Sequence, residues 1–292
     1  MVGFPFTQKK VMERLNKYIV LTIIITCFYS FSNAQTTDST GKEWSVFRIG
    51  LNYNSNLNYF GRTDSLRSSG FFPMAEVWFT PGLYINAAPI FINNPLQRFE
   101  YAGTIVTAGY QFNANDKWTG NVYALKPLYK ESTELVQASL KAQTGALLTY
   151  LNPVLNINVG GDLKFSEQTD IGATAGIDHI IRFPVKEGIV LAADPSAYVY
   201  AGTQQFSKTH YKKNNFLFLP GNEERITETS SRFNILAYEF SVPVIFATQK
   251  LELVATPSYI IPKNLIEVND QPELSEQGKE TLYITLGAKV NF

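Results

Sequence analysis

From about residue 44 to the end of the chain, apolar and polar positions alternate with a period of two. In the closing segment, Leu282, Ile284, Leu286, Ala288, Val290 and Phe292 share one face, and Thr281, Tyr283, Thr285, Gly287, Lys289 and Asn291 share the other. That period is the signature of a β-strand with one apolar face. Leu155, Ile157, Val159, Leu163 and Phe165 oppose Asn156, Asn158, Asp162 and Lys164 in the same way. Val136, Ala138, Leu140, Ala142, Ala146, Leu148 and Tyr150 oppose Gln137, Ser139, Lys141 and Gln143. Leu236, Tyr238, Phe240, Val242, Val244 and Phe246 form another apolar face. The pattern predicts strands near 44–54, 71–80, 83–92, 100–112, 117–128, 134–150, 154–165, 170–183, 188–203, 232–247, 250–261 and 280–292. Strands of this length exceed the soluble norm of about five to six residues. They suit a tilted membrane crossing of about 9–11 residues plus a rim.

The connections sort by length. Every second one is a short turn: Pro81-Gly82, Asn113 to Asp116, Leu151 to Pro153, Pro184 to Glu187 and Thr248-Gln249. The intervening set contains the long polar stretches Ser55–Gly70, Ser207–Ser231 and Pro262–Lys279, together with the brief Tyr129–Thr133 and Ser166–Thr169. Short turns on one side and long loops on the other are expected of a barrel spanning the outer membrane, with the short turns in the periplasm. The expected fold is therefore all-β, a transmembrane antiparallel up-and-down β-barrel of about 12 strands, 10–14 being compatible with the pattern. The latitude comes from Pro89, Pro195, Pro243 and Pro257, which fall inside the predicted strands. Proline removes a ladder donor, so bulges or divided strands are expected there. Phe79, Phe112, Tyr150, Phe183, Phe246 and Phe292 fall toward the short-turn ends, and Phe71, Phe91, Phe165 and Tyr259 toward the long-loop ends, as two aromatic belts would.

The N-terminus reads as a targeting segment. Lys9, Lys10, Arg14 and Lys17 precede an apolar run from Tyr18 to Phe31, and Ser32-Asn33-Ala34 sets small residues before a cut at Gln35. The domain reading is a signal peptide over 1–34, a periplasmic lead-in over 35–43 and the barrel over 44–292. Met12 is an alternative start. The single cysteine, Cys27, lies within the signal, so the mature chain would have neither a disulfide framework nor thiol chemistry. With 25 basic and 25 acidic residues, the chain offers no electrostatic case for nucleic acid.

If the apolar faces meet lipid, Arg48, Glu76, Lys141, Asp162, Lys164, Asp178, Arg182, Asp194, Glu239, Glu252 and Lys289 line the lumen. Such charges must be paired or hydrated. They either fill a narrow barrel or line a small aqueous path, and the mixed signs argue against strong charge selectivity. Catalytic candidates are sparse. His179 follows Asp178 directly, and adjacent strand residues point to opposite faces unless the strand bulges. His210 lies in a polar loop with Ser207, Thr209, Glu223 and Glu224. Two separated histidines do not make a zinc site, and nothing in the sequence calls for a cofactor. Lys212 and Lys213 beside Tyr211 are candidate contacts for lipopolysaccharide phosphates outside the cell.

Three stretches, Gly70 to Tyr84, Ala108 to Phe112 and Leu286 to Phe292, resemble the outer-membrane β-barrel proteins of Bacteroidetes-type bacteria. The resemblance implies an outer-membrane location, contact with outer-membrane lipid and lipopolysaccharide, and recognition of terminal Phe292 by the barrel-assembly machinery. It supplies no catalytic residues. The functional expectation is a passive small-solute channel, or a structural or ligand-binding barrel with long outer loops. The alternative is a lipid- or peptide-hydrolysing enzyme at the barrel mouth.

Overall fold

The computed structural model describes residues 45–63, 66–79, 82–96, 98–130, 140–204, 232–265, 276 and 278–292. The expected signal peptide (1–34) and lead-in (35–43), and His210, Lys212 and Lys213, lie outside the described residues. The wall is a sheet of fifteen segments. Three strands are each interrupted once, so the wall has twelve strands. They are β1 (Ser45–Asn54), β2 (Ser69–Phe79), β3 (Leu83–Asn93), β4 (Glu100–Asn115), β5 (Trp118–Tyr129), β6 (Ala142–Tyr150) and β7 (Asn156–Phe165). Then follow β8 (Thr169–Asp178, resuming at Ile181–Phe183), β9 (Val190–Ala193, resuming at Ser196–Gly202), β10 (Asn234–Ser241, resuming at Val244–Ala247), β11 (Leu251–Pro262) and β12 (Thr281–Asn291).

Each strand pairs antiparallel with its sequence neighbours, and β12 pairs with β1 from Arg48↔Asn291 to Asn54↔Thr285. The sheet is closed and has no free edge. Closure matters physically because a membrane interior offers no water to satisfy an unpaired strand edge. Ile49, Leu51, Leu83, Ile85, Val122, Ile157, Val159, Ile171, Leu253 and Leu286 are exposed, while Glu76, Asn158, Lys164, Asp170, Asp178 and Ser258 are buried. This inverts a soluble protein and is the arrangement of a transmembrane barrel, with apolar groups outside and polar groups inside.

Three predicted strands are divided, and the divisions lie side by side. The breaks fall at His179 and Ile180 in β8, at Asp194 and Pro195 in β9, and at Val242 and Pro243 in β10. A backbone N–H still crosses each gap to a proline carbonyl: His179 to Pro195 at 3.1 Å, Asp194 to Pro243 at 2.9 Å and Val242 to Pro257 at 3.1 Å. Proline cannot donate, but its carbonyl still accepts, so the ladder is bent here without opening the barrel. Pro89 and Pro257 remain inside unbroken strands, with a register shift next to Pro89 at Ile90/Phe91.

One boundary differs clearly from expectation. The strand expected over 134–150 is described from Ala142 on, with Leu140 and Lys141 before it in the stretch that follows Tyr129. Its residues 131–139 lie outside the described set. Lys141 therefore precedes β6 and is exposed. The alternation of Val136 to Lys141 matches the strand period, but the described pairing of β6 ends at Gln143 with Leu125 of β5 and at Ala142 with Phe165 of β7.

Candidate functional site: the barrel interior and its outer mouth

The interior is built from the alternate residues of each strand. At the short-turn end, Arg48 on β1 pairs with Glu76 on β2 at 3.5 Å. The Trp78 indole N–H donates to the same Glu76 carboxylate at 2.6 Å, and the Arg48 guanidinium lies 5.0 Å from the centre of the Trp78 ring. Lys289 pairs with Glu252 at 3.8 Å across β12 and β11, both partly hydrated. Arg182 is exposed near this end. Deeper in the wall, Asn156 donates to Asp178 at 2.7 Å, and Asn158 also donates to Asp178. Tyr283 donates to Glu239 at 2.7 Å. Lys164 and Asp162, two residues apart on one face of β7, form an ion pair. Asp194 sits half-buried in the break of β9. The break that would let Asp178 and His179 share a face does occur, yet the Asp178 carboxylate is engaged by the two asparagines.

The sequence reading missed the inward aromatic rings and how they lie. Tyr84 is in register with Gly109, Tyr123 with Gly145 and Tyr198 with Gly176. In each pair the ring lies across the neighbouring strand where the glycine has no side chain. A Cβ on Gly145 would sit 2.8 Å from the Tyr123 hydroxyl, and one on Gly109 would sit 2.5 Å from the Tyr84 ring. Hydrogen bonds hold two of these rings down: Tyr84 donates to Asn121 at 3.2 Å, and Gln143 donates to the Tyr123 hydroxyl at 3.0 Å. Aromatic cover of strand glycines stabilises a sheet and sets its curvature. Here it also lays large side chains along the wall. The glycines at 145 and 176 are visible in the sequence, but their partners are known only once the register is known.

The outer mouth holds a second unforeseen element. The connection between β1 and β2 is not simply a polar outer loop. It contains a hairpin, Asn58–Tyr59 paired with Arg62–Thr63. Phe60 and Gly61 form its tip, with φ of 51° and 78°. Positive φ at both central residues is the two-residue turn that matches strand twist. Glycine adopts it freely, whereas a bulky phenylalanine does so at a cost in strain. Leu57, at the base, packs on Ile90, Ile92 and Ala102 with Phe72 and Tyr129. At the tip, Phe60 meets Tyr200 of β9 with centroids 4.8 Å apart, and the Lys164 ammonium lies 6.0 Å from the Phe60 ring. The hairpin thus reaches from β1 to the far wall.

Arg62 fastens it. The side chain is 1% exposed and pairs with Glu276, itself 3% exposed, at 3.0 Å. It also donates to the carbonyls of Phe60 at 3.1 Å, Leu236 at 3.2 Å and Lys263 at 2.9 Å. Burial, and then the Asp162 carboxylate, push the Tyr59 phenol well above its ordinary range, so it stays neutral. The X-Gly turn in Asn58-Tyr-Phe-Gly-Arg-Thr63 is a local hairpin signal, but nothing local says that it folds inward.

No protein-family model matches this chain, and no curated protein matches it in sequence. Among solved structures it is similar to the KdgM porin at 7% identity and a TM-score of 0.48, over 84% of this chain and 99% of the porin. It is similar to an outer membrane channel from Pseudomonas putida F1 at 12% identity and a TM-score of 0.44, over 85% and 96% of the two chains. It is also similar to LpxR from Salmonella typhimurium at 9% identity and a TM-score of 0.42, over 84% and 99%.

Proposed function

We propose that this chain is a passive outer-membrane channel for small polar solutes, with an outer mouth narrowed by the hairpin between β1 and β2. The observation that carries the reading is the placement of Tyr84, Tyr123 and Tyr198 flat against glycines of the next strand. A barrel that uses its interior as a filled core sends large side chains across the lumen to meet. These three tyrosines instead lie back along the wall. The outer-membrane setting follows from the closed wall, the apolar exterior and the sorting of loops by side, and it agrees with the Bacteroidetes-type sequence resemblance.

In this reading Arg48, Glu76, Lys141, Asp162, Lys164, Asp178, Arg182, Asp194, Glu239, Glu252 and Lys289 line or flank the path. Arg48 with Glu76, Lys164 with Asp162 and Lys289 with Glu252 cancel in pairs, so a polar, weakly charge-discriminating lumen results. The test is conductance of the refolded chain in a planar bilayer. Discrete steps support a solute path. A folded but silent barrel refutes it and leaves a structural or ligand-binding role.

A further inference from the structure

The outward face of the wall carries one charged side chain among the described residues, Lys126 on β5. Its neighbours along that face are Ala124 and Leu128, and across β4 it is in register with Val106. It is exposed and forms no ion pair with another described residue. A lysine facing lipid is destabilising unless its ammonium reaches the interface or an anion. Lys126 lies three residues before the outer end of β5 at Tyr129, about 10 Å along the strand. Its stem can carry the charge to the level of the outer-leaflet headgroups.

A second feature leads to the same place. Five rings run side by side on the exterior of β1–β4 at the outer end. Tyr53 meets Phe71 at 4.8 Å, Phe71 meets Phe99 at 4.8 Å, Phe99 meets Phe91 at 5.5 Å and Phe91 meets Tyr101 at 5.8 Å. Phe99 holds a φ of 55°, a left-handed conformation that disfavours a bulky side chain, yet its ring is 57% exposed. Strain retained to display a ring outward points to a use for that ring. At the end of the row, the Tyr101 hydroxyl shares a 2.8 Å hydrogen bond with the Thr104 hydroxyl. Thr104 is in register with Leu128, one outward position from Lys126. Lys130, above it, is paired with Glu100 at 2.6 Å, whereas Lys126 has no such pair with a described residue; Arg98 and Lys141, also exposed, lie outside the strand stretches of this outer wall.

A cation beside two hydroxyls and an aromatic strip, toward the outer end of the wall, suits a ligand with a phosphate, a sugar body and acyl chains. We propose that Lys126, Tyr101 and Thr104 bind a phosphate of an outer-leaflet phosphorylated glycolipid of the lipopolysaccharide type. Its chains would lie along the Tyr53–Tyr101 ring row. The inference rests on the membrane-embedded reading and is independent of whether the lumen conducts.

The test uses the full chain folded in detergent, its folding verified by heat-modifiable gel migration, and mixed with bisphosphorylated lipid A. Native mass spectrometry then counts bound lipid. The expected result is one retained lipid A per barrel. Lys126→Ala lowers occupancy by about tenfold, as loss of a charge-assisted contact would. Lys126→Arg retains binding, and dephosphorylated lipid A fails on the wild type. Equal retention by Lys126→Ala overturns the proposal, as does a folded wild type that retains no lipid A. Phosphatidylglycerol retained as well as lipid A, with the same dependence on Lys126, overturns the glycolipid assignment. A chain that never gives the heat-modifiable band defeats the membrane reading itself, and the proposal with it, so the two failures are told apart on the gel.

Discussion

Replacing Arg62 with alanine should open the outer mouth without unfolding the barrel. Arg62 pairs with Glu276 and donates to the carbonyls of Phe60, Lys263, Asn264 and, on β10, Leu236; its side chain takes no part in the backbone ladder between wall strands. Its loss takes a guanidinium 3.0 Å away from a Glu276 carboxylate that is 3% exposed. Removing one partner of a buried ion pair costs about 3–5 kcal/mol. The hairpin itself adds little, because with two residues in each strand it has marginal stability of its own. At about 1.4 kcal/mol per tenfold, the inserted state loses at least about a hundredfold in population relative to states with the hairpin released. The wall ladders are untouched, so heat-modifiable migration should match wild type. Single-channel recordings of Arg62→Ala should show a larger step, or steps with added open-state noise, and Arg62→Lys should fall between the two. A folded Arg62→Ala barrel with wild-type conductance would refute the idea that the hairpin narrows the path.

Other expectations follow from the same geometry. Gly145→Leu places atoms where the Tyr123 hydroxyl now lies, 2.8 Å from the Cβ position; the ring is pushed toward the lumen, and conductance should fall while the fold survives. Leu286→Arg puts a charge on the lipid face of β12, where Leu286 is 42% exposed. It should destabilise the folded barrel by about 2–4 kcal/mol, read from urea titration of folding into vesicles. Phe292 donates its backbone N–H to Phe47 at 2.8 Å, but its ring is 62% exposed. Phe292→Ala should therefore refold normally in vitro and still reach the outer membrane of cells in reduced amount, as quantified by membrane fractionation.

The outer surface of this barrel was legible because lipid acts on every strand alike. Leu282 to Phe292 alternate whatever they pair with, and the turns at Gly82 and Asn115 punctuate the chain locally. The proline breaks were half legible. Pro195 and Pro243 divide their strands but Pro257 does not, although the carbonyls of all three accept a backbone N–H across a gap. The interior needed the register. Tyr123 covers Gly145 only because the two strands pair with those residues opposite. The hairpin was hidden for a similar reason. Arg62 reads as one more charge in a polar loop until Leu236 and Lys263, 174 and 201 residues away, supply its acceptors. Lys126 stands in an outward row with Ala124 and Leu128, and dividing that strand into its two faces would have exposed it.

The most direct test of the account is single-channel conductance of the refolded chain in a planar bilayer, run beside a gel showing the heat-modifiable folded form. The account predicts discrete, stable steps that grow when Arg62 is removed. A folded barrel that remains silent both as wild type and as Arg62→Ala would contradict it, since neither the wall nor the hairpin would then enclose a path.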